Sequence, residues 1–211
     1  MPDTRMKMGR RTFIVGIPLS LAVLECFHPH AMNLLELPVD RWLIVHYTQA
    51  FLFPLTAFAL AGLVSGQRDA FARVARVSLF YFACAYVVFD TAAGIVVGEL
   101  VRIAQTSGQP ETWQPALDAV WRHPVLGSAS ASPPIFAATG TLAFLTGSAC
   151  VAICLKRART PWAPVLAVAA IPLGLAVFLS HAWPGGPITF ATQAVAAFWV
   201  LRKRRASLSI D

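Results

Sequence analysis

Charge is scarce in this sequence: 17 Lys and Arg and 10 Asp and Glu make up 13% of 211 residues, while 57% are hydrophobic. A soluble domain holds roughly 45–50% apolar residues, so this composition, with a mean hydropathy of +0.63, excludes a water-soluble globule and places the chain in lipid. Cysteine is also sparse. Cys26, Cys84, Cys150 and Cys154 all lie in or at the end of apolar runs with no paired loop spacing, which excludes a disulfide framework and leaves thiols. No Walker loop, dinucleotide glycine motif, Gly-x-Ser-x-Gly elbow or His-Glu-x-x-His occurs, and their absence removes most ATP-driven and familiar hydrolase readings. The net charge of +7 comes from short basic clusters between apolar runs. That pattern sets membrane orientation and does not suit nucleic acid.

What the sequence does have is apolar runs of membrane-crossing length. A spanning helix needs about 20 mostly apolar residues, and six runs approach this, over about 12–28, 41–64, 77–101, 135–155, 161–183 and 188–201. The expected fold is all-α: a single domain, residues 1–211, formed by an integral membrane bundle of six transmembrane helices. Arg10-Arg11-Thr12-Phe13-Ile14 has some likeness to a twin-arginine export signal. No small-x-small cleavage site follows, and Glu25 precedes Cys26 where a lipoprotein signal needs a small residue, so the first run is expected to remain as an anchor. In the third run, Gly94 and Gly98 form a Gly-x-x-x-Gly pair that lets a neighbouring helix come close. Between the third and fourth runs, Trp113, Ala116, Leu117, Val120 and Trp121 share one helical stripe within Glu111–His123, predicting a short amphipathic helix on the membrane surface. Gly127–Pro134 reads as a flexible connector and Pro184–Pro187 as a tight turn. The two halves show no convincing repeat.

With the N-terminus inside, 14 of the 17 Lys and Arg fall in cytoplasmic segments and only Arg41, Arg102 and Arg122 face outward. Both termini are therefore expected in the cytoplasm, and the protein in a bacterial cytoplasmic (inner) membrane.

This orientation gives depths at about 1.5 Å per residue. Glu25, His28, His46, Gln49, Asp90, His181 and Gln193 all then fall in the outer half of a core about 30 Å thick. The cytoplasmic half holds nothing comparable. Ionisable side chains in lipid are costly and normally face the bundle interior with a partner. Glu25 and His28 are three residues apart, as are His46 and Gln49, so each pair shares a helix face. Imidazole plus carboxylate suits zinc or non-haem iron, and Glu-x-x-His is one element of di-iron bundles, although it occurs once here. The candidate metal ligands are His28, His46, His181, Glu25 and Asp90, with Glu25 and Asp90 also the candidate catalytic carboxylates. Bis-histidine haem, for instance through His46 and His181, is a lesser variant.

Plainer readings stand beside these. His28, His30 and His181 sit near the interface and could simply end helices; Asp90 and His46 could form a structural pair. Glu99 and Arg102 read as an interfacial ion pair, Cys150 and Cys154 as small buried thiols, and His123 as a solvated loop residue. His-Pro after the first run and Trp-x-x-x-His opening the second are suggestive as a pair.

The leading expectation is an integral-membrane enzyme, a metal-dependent hydrolase or oxidoreductase, with an outward-facing pocket acting on membrane lipid or another apolar substrate. Two alternatives remain: a non-catalytic subunit or assembly factor with partner membrane subunits or further copies of itself, and a small proton-coupled carrier whose broken helices are marked by Pro54, Pro164 and Pro172.

Overall fold

The computed structural model describes residues 2–30, 33–129 and 133–207, with side chains described from 8 to 202 in those ranges. The middle of the expected connector, 130–132, and the polar tail from 208 lie outside the described residues. The chain is 79% helical, without strands among the described residues. The helices are α1 (Pro2–Glu25), α2 (Val39–Gly62), α3 (Ala70–Asp90), α4 (Val97–Thr106), α5 (Gln114–Trp121), α6 (Ile135–Arg157), α7 (Trp162–Ala170), α8 (Leu173–Phe178) and α9 (Gly185–Ser207). Among the described residues, three helices are long and apolar enough to cross a membrane, Val39–Gly62, Ala70–Thr106 and Ile135–Arg157, with Trp162–Phe178 a shorter apolar segment.

Local chemistry explains where the boundaries depart from the apolar runs. The third helix begins seven residues before its run because the Asp69 side chain accepts from the Ala72 N–H at 2.9 Å and caps α3. It also runs on to Thr106 as one rod, α3 joining α4 through a π-helical segment, Thr91–Val96. The fifth run is not one helix to Trp183. Pro172, lacking an N–H, separates α7 from α8, and Leu179 then leaves the helix at φ 50°. The expected turn at Pro184–Pro187 supplies the first residues of α9.

The helices close a ring: α1 packs on α2 and α9, α2 on α3, α3 on α6, α6 on α7, and α7 on α9. In lipid, such packing relies on close approach and dispersion, since burying an apolar group gains little over leaving it in the bilayer. Small residues serve the α3–α6 contact, where a β-carbon on Gly140 would press on Tyr86 and one on Gly147 on Leu79. The ring's axis is filled by the fully buried Phe53, Phe82, Phe144 and Phe190. Phe82 stacks on Phe144 with ring centres 4.3 Å apart, and Phe53 meets Phe190 at 5.9 Å. Ile44, Phe51, Phe58, Val77, Phe80, Leu166, Val195 and Phe198 point outward and exposed, a continuous apolar exterior that soluble proteins avoid.

A second apolar cluster caps one end. Leu34, Leu37, Trp42, Leu43, Val97, Val101 and Leu117 are buried together, with Val120 and Trp121 packed against them. The amphipathic segment is thus a 3₁₀ turn, Pro110–Trp113, followed by α5, and it packs Leu117, Val120 and Trp121 of the expected stripe against α2 and α4 while Ala116 is exposed. The extension of the third helix to Thr106 carries α5 far enough to fold back onto the protein.

Candidate metal centre

The cap covers a cavity of about 620 Å³, within the usual range for ligand pockets. Its closed end is built by three histidines from three parts of the chain. His28 follows α1, His46 lies in α2, and His181 follows α8. One ligand atom from each lies within 4.8 Å of the others. The ring of His28 is 4.9 Å from that of His46 and 5.1 Å from that of His181.

Backbone carbonyls orient two of these rings. The His46 Nδ1–H donates to the Trp42 carbonyl one turn earlier at 2.8 Å, and the His28 Nδ1–H donates to the Pro29 carbonyl at 2.9 Å. Holding Nδ1 in this way fixes the tautomer and leaves the Nε2 lone pair free, as ligand histidines require. The Nε2 atoms of His28 and His181 are buried without a hydrogen-bond partner. The third, His46 Nε2, faces Asp90 Oδ1 at 3.8 Å.

Asp90 ends α3 where the π segment begins, a type of distortion frequent at functional sites. Both its carboxylate oxygens are buried and lack hydrogen-bond partners. Gly94 in the π segment is the seat of His46: a β-carbon there would overlap the imidazole. The Trp42 indole N–H reaches across the same surface to the Gly94 carbonyl at 2.7 Å. A β-carbon on Gly98 would meet Trp42 and Leu43. The Gly-x-x-x-Gly face therefore accommodates the side chains of α2 that set the site.

Of the five sequence candidates, the structure brings His28, His46 and His181 together and places Asp90 beside His46. Glu25 is held elsewhere. It is fully buried, its Oε1 accepts from Gln49 Nε2 at 2.8 Å while its Oε2 has no hydrogen-bond partner, and it stands outside both the histidine group and the cavity lining. Gln193 donates to the Thr56 carbonyl at 2.9 Å. His30 is exposed and lines the cavity 6.2 Å from His28. His123 is exposed, its Nδ1 accepting from the Val125 and Leu126 N–H groups. Glu99 pairs with Arg102 at 3.5 Å and accepts from the Tyr47 hydroxyl. Cys150 and Cys154 are buried free thiols. Sequence reasoning left out Trp42, Tyr86, Phe89 and Thr141, which also line the cavity. Trp42 stood in the Trp-x-x-x-His spacing, one turn before His46, where its backbone carbonyl orients the histidine and its indole N–H reaches the Gly94 carbonyl.

No protein family matches the sequence, no curated protein is significantly similar to it, and no solved structure significantly resembles the fold.

Proposed function

We propose that the chain is an integral-membrane, zinc-dependent hydrolase with six spans, both termini cytoplasmic, and its cavity facing outward toward an apolar substrate. The observation that carries this reading is the convergence of three imidazoles, two with unpartnered buried Nε2 atoms, beside a carboxylate whose two oxygens are also unpartnered. Buried polar atoms are normally satisfied, and one divalent cation with its water would satisfy all four. Three histidines with a water in the fourth position is a catalytic zinc set. Non-haem iron oxygenases instead use two histidines and a carboxylate. Haem fits poorly, because the His28 ring stands about 5 Å from both His46 and His181, where a porphyrin between those two would extend.

His28, His46 and His181 would hold the metal, their ligand atoms already lying within 4.8 Å of one another. The metal would polarise a substrate carbonyl and make its water a nucleophile near neutral pH. Asp90, next to His46, would serve as the general base and then as the general acid, holding a proton at a carboxylate oxygen until the alcohol or amine departs.

Topology is supported by where the basic residues sit. Arg10 donates to the Gly62 carbonyl, Arg76 to the Val64 carbonyl, and Lys156 lies over Trp162, all at the end of the ring opposite the histidines. The positive-inside rule assigns that end to the cytoplasm. The reading is tested by metal analysis and hydrolysis of long-chain esters by the purified protein, with Asp90→Asn as the variant that keeps metal but loses turnover.

A further inference from the structure

The cavity has a second boundary besides its polar closed end. Along α6 its lining recurs at Pro134, Ala137, Ala138, Thr141, Leu142 and Leu145, the 3-1-3-1-3 spacing of one helical face over about 16 Å. Facing it are Ala176 and Leu179 of the α8 segment. Two of these wall residues are also strongly exposed, Leu142 at 62% and Leu179 at 74%, so the wall reaches the outer surface of the ring. The opening exists because Pro172 turns α8 away after α7 has packed on α6, and because the helix stops at Leu179. Its α6 side lies along Ile135–Arg157, one of the helices long and apolar enough to cross a membrane, which in a bilayer would set it against hydrocarbon.

Among the described residues, the lining holds no Lys or Arg, and its one acidic residue is Asp90. A phosphate or carboxylate head would find no Lys or Arg among those residues to pair with. A neutral carbonyl would meet what the closed end offers, a metal to polarise it and a carboxylate to take a proton.

We propose that the gap between α6 and α8 is a lateral portal through which an apolar chain enters from the bilayer, carrying a neutral acyl ester or amide to the histidines. This substrate class rests on the zinc-hydrolase reading; the portal itself stands independently of it. Ala137, Ala138 and Ala176 are the small residues of this wall, between the exposed leucines.

The test uses the full-length protein in phosphatidylcholine nanodiscs with a monoacylglycerol bearing a mid-chain diazirine. After photolysis, adducts are mapped by peptide mass spectrometry with and without excess unlabelled monoacylglycerol. The expected result is competable labelling within 137–145 and 175–179. Ala138→Trp, at an exposed position that tolerates bulk, lowers it at least tenfold with metal content unchanged, whereas Leu19→Trp on the exposed face of α1, which packs on α2 and α9, leaves it intact. Labelling that is not competable and spreads over every lipid-facing helix overturns the portal. Stronger competition by a lysophosphatidic acid of the same chain length than by the monoacylglycerol overturns the neutral head. Competable labelling of a protein that never binds metal leaves the portal standing and removes the hydrolase reading.

Discussion

The His46 imidazole rests directly on the backbone of the third helix at Gly94, in space that any β-carbon would occupy. The same glycine offers its carbonyl to the Trp42 indole, and Trp42 offers its own carbonyl to His46. These three residues form one positioning unit, with the π segment as its base.

Gly94→Ala should therefore lower zinc affinity by at least about tenfold, as loss of orientation around a ligand histidine does, and destabilise the fold by about 1–3 kcal/mol through overpacking. Metal titration and thermal unfolding in detergent measure the two effects. Gly16→Ala is the control. No atom lies within 4 Å of its added carbon, so it should leave both quantities unchanged or raise stability slightly.

Asp90→Asn keeps the shape of the side chain and removes its basicity. Ester hydrolysis should fall by about 10²–10⁴-fold while zinc stoichiometry stays at wild-type level. Steady-state rates combined with elemental analysis separate this outcome from loss of the metal.

How much of this was legible in the sequence depends on what each feature rests upon. Apolar run length gave the helical class, and residue count along the runs put His28, His46, Asp90 and His181 at one depth. Depth does not fix rotation about a helix axis, so the sequence could not separate Asp90, which lines the cavity, from Glu25, which pairs with Gln49 behind it. His181 seemed to close a helix running to Trp183; the break at Pro172 and the positive φ of Leu179 release it to turn inward. The π segment leaves no periodic signature, because its one extra residue per turn is a response to Trp42 and His46 packing against Gly94. Trp-x-x-x-His and His-Pro were the local traces of the two carbonyl-oriented histidines.

The Glu25–Gln49 hydrogen bond is a structural device in this account. Gln49→Leu should destabilise the protein by about 1–3 kcal/mol, because it strips a fully buried acceptor of its donor. Glu25→Gln in the same background should recover part of that loss without changing zinc content. Thermal unfolding of the single and double variants gives the coupling directly.

Arg102 provides the opposite case. It bridges Asp40 and Glu99 at 3.3 and 3.5 Å with all three side chains well exposed, so Arg102→Ala should cost about 0–1 kcal/mol. Its thermal midpoint should stay close to that of the wild type.

Zinc bound at 100 times its dissociation constant stabilises the folded state by about 2.7 kcal/mol. A chelator should therefore lower the thermal midpoint and added zinc restore it. An imidazole binds metal only when neutral, so retention should weaken as pH falls and strengthen as pH rises, with no such dependence in His46→Ala.

Elemental analysis of the purified protein, repeated on His28→Ala, His46→Ala and His181→Ala, tests the central claim most directly. The account predicts one zinc per chain in the wild type and none in each variant, with all four proteins folded by circular dichroism. A wild-type protein that stays metal-free after zinc supplementation, or variants that keep a full complement, would contradict it.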